Sequence, residues 1–168
     1  MIDEALKTAL EDTRHILFLC SGNMVRSAFA DLYAQSLGCP LPVSSAATTY
    51  RNDGLYPETV RALRRFDVAE QLIRSFRPTH LDDVVEQIGH DHLVLGMTRA
   101  HLHDFADALG RATERRVRAF RLSLAVGHDV DIADPVLDDV DFGATFERVA
   151  RCVEALVADL RHSQRELP

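Results

Sequence analysis

A cysteine and an arginine six residues apart, Cys20 and Arg26, stand between an apolar run and a helical pattern. The apolar run is HILFLC at residues 15–20, and the segment that follows reads S-G-N-M-V before Arg26 and Ser27. A loop that ends at a helix N-terminus directs unpaired backbone N–H groups and the positive end of the helix dipole toward one point. This arrangement is suited to an oxyanion such as phosphate.

The residue types in this loop fit that chemistry. Gly22 and Asn23 tolerate the left-handed backbone angles that a tight anion-binding loop requires. The positive field favours a thiolate, which makes Cys20 a candidate nucleophile. Arg26 presents a planar fork that can donate to two phosphate oxygens, and Ser27 can hydrogen-bond the sulfur. The predicted phosphate-binding residues are Ser21, Gly22, Asn23, Met24, Val25, Arg26 and Ser27.

A second segment, HDVDIADPVLDD at residues 128–139, supplies carboxylates that could protonate a leaving oxygen. Pro135 disfavours helical angles at Asp134 and lacks a backbone donor, so Asp134 is expected on a stiff, extended loop. Neighbouring carboxylates disfavour a further negative charge and would help Asp134 to keep its proton. Asp134 is therefore the predicted general acid, although Asp-Pro is also common in ordinary turns.

Four short apolar runs predict the strands of one buried parallel sheet, and segments of helical periodicity lie between them. This alternation predicts an α/β fold with helices on both faces of the sheet. Ligands bind such sheets beyond the carboxyl ends of the strands, where Cys20 stands. The predicted strands are 15–20, 42–47, 91–97 and 116–123, and the predicted helices are a segment from near Arg26 to Gly38, then 57–66, 79–88, 98–109 and 142–161.

The length of 168 residues and the 46% hydrophobic content predict one domain with a substantial core. We assign residues 15–162 to that domain and residues 163–168 to a C-terminal tail. Residues 1–14 form an extension in which apolar residues recur at helical spacing. The sequence does not decide whether this extra helix packs on the domain or on another chain, and homo-oligomerisation stays open.

Composition argues against several classes of function. The formal net charge is −7 and the basic residues are scattered, which argues against nucleic acid as a partner. No apolar run is long enough to span a membrane, and the acidic N-terminal segment is unlike a signal peptide, so a cytoplasmic location is expected. Three cysteines without C-x-x-C spacing suggest neither a disulfide framework nor structural zinc. The His90/His92 and His101/His103 pairs lack further ligands at metal spacing, and no cofactor is expected.

Together the C-x5-R-S loop, SSAAT at 44–48, MTRAHL at 97–102, the Asp-Pro pair and the DF that opens the last helix resemble the low-molecular-weight protein tyrosine phosphatases. The resemblance covers about residues 15–160 and implies a four-stranded parallel sheet flanked by helices. It implies that Cys20 is the nucleophile of a phosphocysteine route. Arg26 would then clamp the phosphate, and Asp134 would act first as acid and later as base, without a metal.

The resemblance also implies a substrate, namely a phosphorylated protein or a small aryl phosphate. An apolar side chain at Met24 favours an aromatic substrate, whereas arginine phosphatases of the same family tend to have threonine there. By the same resemblance, the loop supports are Asn23, Ser27 and Ser45, and the candidates for the substrate slot are Met24, Tyr50 and Arg51.

The sequence departs from the family pattern at several positions. Val25 occupies the place where a second cysteine usually precedes the arginine, which argues against a protective disulfide. Arg74 replaces a histidine that usually braces the loop, and the segment after Asp134 lacks the usual aromatics. A protein-arginine phosphatase, a phosphocarrier domain and a non-hydrolytic phosphate-binding domain therefore remain the alternatives, although a carrier needs no hydrolytic acid.

Overall fold

The computed structural model describes residues 1–165 and contains a single four-stranded parallel sheet within them. The strands are β1 (His15–Cys20), β2 (Val43–Ala47), β3 (His92–Gly96) and β4 (Arg118–Arg121), in the order β2-β1-β3-β4. The predicted α/β fold with a four-stranded parallel sheet is thereby confirmed. The fourth strand is shorter than the predicted 116–123, because the chain turns into a 3₁₀ helix at Leu122–Val126.

Seven α-helices surround the sheet in this part of the chain. They are α1 (Glu4–Glu11), α2 (Arg26–Ser36), α3 (Pro57–Arg65), α4 (Glu70–Ser75), α5 (Leu81–Val84), α6 (Arg99–Ala112) and α7 (Phe142–Arg165). The predicted helix 79–88 is instead the short α5 followed by a 3₁₀ turn at Val85–Gln87. Helix α4 was not predicted, since its six residues are too few to show a helical period.

The apolar run of β1 is buried on both sides of the sheet. Ile16, Phe18 and Cys20 belong to the larger core, which α1, α2, α3 and α7 cover. Leu17 and Leu19 point to the opposite core, which α5 and α6 cover. The continuous hydrophobicity of β1 thus reflects a strand covered by helices on both faces.

Helix α1 packs on the body of the same chain, which answers the question that the sequence left open. Leu6 is fully buried, and Ala9 and Leu10 are nearly so, all within the larger core. The Asp3 side chain accepts hydrogen bonds from the first turn of the helix, and its backbone N–H donates to the Leu124 carbonyl. The predicted extension 1–14 therefore contributes core residues.

At the other end, α7 continues to Arg165 and passes the predicted domain boundary at residue 162. The Leu156, Val157 and Leu160 side chains stay buried along this helix, so its apolar stripe holds it on the body almost to its end. The rest of the predicted tail, residues 166–168, lies outside the described residues. No helix within residues 1–165 combines the length and the hydrophobicity that crossing a membrane requires.

The fold brings three segments to the carboxyl edge of the sheet. Strand β1 ends at Cys20, and α2 begins at Arg26 and ends before Gly38, whose φ of 66° is left-handed as a helix C-terminus favours. The Met97 N–H, just after β3, donates to Leu19, and the Met97 carbonyl accepts from the Ile132 N–H. This last bond places the segment around residues 128–139 beside the loop that follows β1.

Candidate active site

The Cys20 sulfur lies at the base of the segment Cys20–Ser27, which we call the phosphate loop. It is 2% exposed, and its Sγ lies 2.9 Å from the Ser27 hydroxyl and 3.3 Å from the backbone nitrogen of Asn23. The Asn23 amide donates to Ser27 Oγ, which leaves the Ser27 hydrogen free to point at the sulfur. Two hydrogen-bond donors thus face Cys20 Sγ.

The backbone of the phosphate loop is curled as an anion site requires. Asn23 has the left-handed φ of 51° that its residue type predicted, and its side-chain oxygen accepts a hydrogen bond from the Thr79 N–H. Gly22 does not adopt a positive φ. Its lack of a side chain matters for a different reason, since a Cβ there would come within 2.9 Å of the Asn52 amide.

Several N–H groups of the loop remain available to an anion. Within residues 1–165, the backbone N–H groups of Gly22, Met24 and Val25 have no protein acceptor. The first turn of α2 follows directly, and the N-cap residue Val25 supplies no side-chain hydrogen bond to it. An oxyanion is the partner that such a group of donors fits.

Arg26 is 2% exposed and lies between the loop and the acidic segment. One terminal nitrogen donates to the Ile132 carbonyl at 2.8 Å, and the other donates to Asp134 at 2.9 Å. The buried Nε has no partner among the described residues. An unpaired buried N–H carries an energetic penalty. A phosphoryl oxygen could remove this penalty by accepting a hydrogen bond from Arg26 Nε.

Asp134 is fixed from both sides. Its Oδ1 accepts a hydrogen bond from the Val136 N–H, while its own N–H donates to the side chain of Asp138. The charged group that contacts its carboxylate is the Arg26 guanidinium, rather than a second carboxylate as the acidic sequence suggested. The acid and the clamp of the predicted mechanism are therefore in direct contact in the ligand-free protein.

The stem of the acidic segment is held by Arg121 on β4. Its guanidinium contacts Asp129 at 2.6 Å and Asp131 at 2.9 Å, and these carboxylates raise the Arg121 pKa. Asp131 also accepts from the Arg99 N–H at the start of α6. Sequence reasoning missed this arrangement, because nothing local connects β4 to a segment that begins seven residues later.

A cavity of about 270 Å³ opens above the loop and includes every residue assigned to catalysis or to the substrate slot. Its apolar walls come from Met24, the half-exposed Tyr50, and Val136 with the well-exposed Leu137. Arg51 also lines it and makes a bidentate ion pair with Asp83. The cavity residues are Cys20, Ser21, Gly22, Met24, Val25, Arg26, Tyr50, Arg51, Asn52, Asp134, Val136 and Leu137.

The predicted brace Ser45 differs from the sequence-based expectation, whereas Arg74 departs from the family pattern as expected. Ser45 donates to the buried Asp31 on α2 at 2.7 Å and not to a phosphate-loop residue, so any support it gives passes through the helix. Arg74 is largely exposed and contacts Glu70 at 3.6 Å, so it does not take the place of a buried histidine behind the loop.

Other braces were not anticipated from the sequence. The Asn52 amide donates to the Gly22 carbonyl, and the Thr59 hydroxyl donates to the Met24 carbonyl. The buried His101 on α6 lies 3.0 Å from the Ser21 hydroxyl. Only His101 left a usable signal, because Thr98 and His101 have the three-residue spacing of a helix capping box.

The fold and the site define the class of this protein: an α/β domain with a cysteine-containing phosphate loop of the C-x5-R-S type at the carboxyl edge of a parallel sheet. A family model, described as low molecular weight phosphotyrosine protein phosphatase, matches residues 15–166. The chain therefore belongs to the low molecular weight phosphotyrosine protein phosphatase family.

Individual relatives agree with this membership. The low molecular weight protein-tyrosine-phosphatase PtpB of Staphylococcus epidermidis is 29% identical over 136 residues, which cover 79% of this chain and 84% of that protein. The YwlE arginine phosphatase from Geobacillus stearothermophilus has a TM-score of 0.73 and 24% identity, over 92% of this chain and 97% of that one. A YwlE mutant with a phosphorylated active-site serine has a TM-score of 0.70 and 26% identity. The match covers 90% of this chain and 98% of that one.

Proposed function

We propose that this phosphatase hydrolyses phosphotyrosine and related aryl phosphate monoesters through a phosphocysteine intermediate on Cys20. The observation that carries the proposal is the convergence of three groups on one cavity, namely the Cys20 thiol, the Arg26 guanidinium and the Asp134 carboxyl. Each has a distinct task in phosphoryl transfer, and the cavity is large enough for an aromatic ring.

In the first step, the Cys20 thiolate attacks phosphorus and the bond between phosphorus and the tyrosine oxygen breaks. The leaving oxygen takes a proton from Asp134, so that a neutral phenol departs. Arg26 and the N–H groups of the phosphate loop donate to the non-bridging oxygens as charge redistributes on them. Ser27 donates to the sulfur and supports the thiolate before attack and after release.

In the second step, water attacks the phosphocysteine and the phosphorus–sulfur bond breaks. The Asp134 carboxylate, having given up its proton, now accepts one from this water. Inorganic phosphate leaves and the Cys20 thiolate is restored. Apart from substrate and water, the proposed cycle uses only groups of the chain itself.

Preference for an aromatic substrate rests on the walls of the cavity. Met24 presents a thioether, which makes favourable contacts with aromatic rings. Tyr50 and Leu137 add to the apolar lining, and Arg51, which is paired with Asp83, also lines the cavity. We also propose a cytoplasmic setting and phosphorylated proteins as substrates, which the three free cysteines and the family membership support.

The experiment that tests the proposal measures phosphate release from paired phosphotyrosine and phosphoarginine peptides without added metal. Wild type, Cys20→Ser and the matched control Cys39→Ser are compared, since Cys39 lies outside the cavity. We expect wild type and Cys39→Ser to release phosphate mainly from phosphotyrosine, and Cys20→Ser to release none while still binding phosphate.

Each alternative predicts a different result. Turnover that survives in Cys20→Ser would refute the covalent mechanism. Release from phosphoarginine alone would make the chain an arginine phosphatase. Release from neither peptide would refute hydrolysis, and phosphate then trapped on Cys20 would identify a carrier.

A further inference from the structure

A hydrogen bond joins α6 to the phosphate loop between two residues that are 80 positions apart. His101 Nε2 lies 3.0 Å from the Ser21 hydroxyl oxygen. His101 is 3% exposed, whereas Ser21 is half-buried and lines the cavity together with Cys20. Neither step of the proposed reaction uses this contact.

The surroundings of His101 fix the direction of the bond. The Thr98 backbone N–H donates to His101 Nδ1 at 3.0 Å, so Nδ1 must carry a lone pair. In a neutral imidazole the hydrogen then resides on Nε2, and it is donated to Ser21 Oγ. Burial and the nearby Arg26 lower the pKa of His101 to about 4, against the opposing effect of Asp131, so the ring is neutral at physiological pH.

The direction of this bond determines what the Ser21 hydroxyl can do. Because its oxygen accepts from His101, its hydrogen is free for another acceptor. Within residues 1–165, that hydrogen finds no protein acceptor. The cavity that Ser21 lines is where an oxyanion would meet it.

We propose that His101 is a positioning residue, which holds the Ser21 hydroxyl as a hydrogen-bond donor to an oxyanion bound in the cavity. The inference rests on the proposed function only in taking that oxyanion to be the phosphoryl group. His101 does not touch the substrate itself. Its contribution passes through Ser21.

Two substitutions of His101 separate this task from the capping of α6. In His101→Gln, the side-chain amide replaces the Nε2 donor but loses the acceptor at the Nδ1 position. In His101→Asn, the carbonyl replaces the Nδ1 acceptor, while the side chain is too short to reach Ser21. If His101 only caps α6, phosphate binding should be kept better by His101→Asn. If His101 positions Ser21, phosphate binding should be kept better by His101→Gln.

The test measures how well inorganic phosphate protects Cys20 from alkylation by iodoacetate, followed by mass spectrometry of the Cys20 peptide. Ser21→Ala and His101→Asn should each raise the phosphate concentration for half-protection by about tenfold, as expected for one hydrogen bond to a charged acceptor. His101→Gln and the exposed control His103→Asn should stay within about twofold of wild type. The double variant Ser21→Ala/His101→Asn should need no more phosphate for half-protection than either single variant, because both substitutions remove the same hydrogen bond.

Thermal unfolding should rank the His101 variants in the opposite order, with His101→Asn closer to wild type than His101→Gln. The inference is overturned by normal phosphate protection in His101→Asn, by additive losses in the double variant, or by a wild type that phosphate does not protect. Because the readout needs no turnover, a protein that shows the expected pattern yet hydrolyses neither phosphopeptide would refute the proposed function and leave the inference standing.

Discussion

The Arg26 guanidinium and the Asp134 carboxylate, 108 positions apart in the chain, lie 2.9 Å apart at the mouth of the phosphate loop. Their side chains are 3% and 17% exposed, so the pair is largely shielded from water. An anion entering the cavity meets Arg26 where the acid already contacts it. Binding of substrate and placement of the acid are therefore coupled through one guanidinium.

Replacing Asp134 by Asn should slow the release of poor leaving groups. The amide keeps an oxygen that can accept from the Val136 N–H but supplies no acidic proton. We expect kcat to fall about 100-fold for a phosphate ester with a poorly acidic phenol, and much less for a nitrophenyl ester. Steady-state rates on a series of aryl phosphates give this dependence. The exposed Asp139→Asn serves as the control, and equal losses across the series would count against Asp134 as the acid.

Replacing Met24 by Thr should weaken the preference for an aromatic substrate. The substitution removes a thioether from the cavity wall and adds a hydroxyl. We expect the ratio of kcat/KM for phosphotyrosine to that for phosphoarginine to fall about tenfold, the size of one lost sulfur–aromatic contact. Val140→Thr, an exposed position outside the cavity, is the matched control. An unchanged ratio would show that other residues of the cavity determine the preference between phosphotyrosine and phosphoarginine.

Replacing Asp31 by Asn should stabilise the fold at neutral pH. Burial raises the pKa of Asp31, while hydrogen bonds from Ser45 and Gln35 oppose the rise. A raised folded-state pKa means that the unfolded chain gives up its proton first, so stability falls as the pH rises from about 3.8 through the folded value. An Asn side chain does not ionise and escapes this loss.

Thermal unfolding across pH measures the effect of Asp31→Asn. The variant should unfold at a higher temperature than wild type near pH 7, and the difference should vanish toward pH 4, where both side chains are neutral. The exposed Asp104→Asn on α6 should show no such trend. A pH-independent difference between Asp31→Asn and wild type would mean that hydrogen-bond geometry, and not buried charge, sets the stability here.

Replacing Leu6 by Ala should destabilise the whole domain. Leu6 is fully buried in the core shared with β1, α2 and α7, and such truncations remove about 2–5 kcal/mol from the free energy of unfolding. Denaturant unfolding measures the loss. The control is Lys7→Ala, which changes an exposed neighbour on the same helix. If Leu6→Ala unfolded at the same denaturant concentration as wild type, α1 would not belong to the cooperative unit.

Sequence reasoning found those parts of the site that are encoded locally. A continuous apolar strand, Cys20, a small polar loop and Arg26 stand within 12 residues, and each has a physical reason to be there. Asp134 was found because Pro135 stiffens its loop. Cys20 stands at the end of a strand, so it could be placed at the carboxyl edge of the sheet before any contact was known.

What sequence reasoning missed depends on how distant elements align. The bond between Ser21 and His101 requires β1 and β3 to be neighbours in a particular register, and that between Arg121 and Asp131 requires β4 to lie beside the acidic segment. The hydrogen bond from Ser45 to Asp31 depends on where α2 places Asp31 relative to β2. None of these distances follows from local propensity or periodicity.

Helix α1 has a practical consequence for handling the protein. The family match begins at residue 15, whereas the apolar face of α1 is already part of the main core. A recombinant chain trimmed to the matched segment would expose core surface to solvent and favour self-association. The first residue also lies close to Gly127, where an added Cβ would come within 2.7 Å of the Met1 carbonyl oxygen. An affinity tag for purification therefore belongs at the opposite end of the chain.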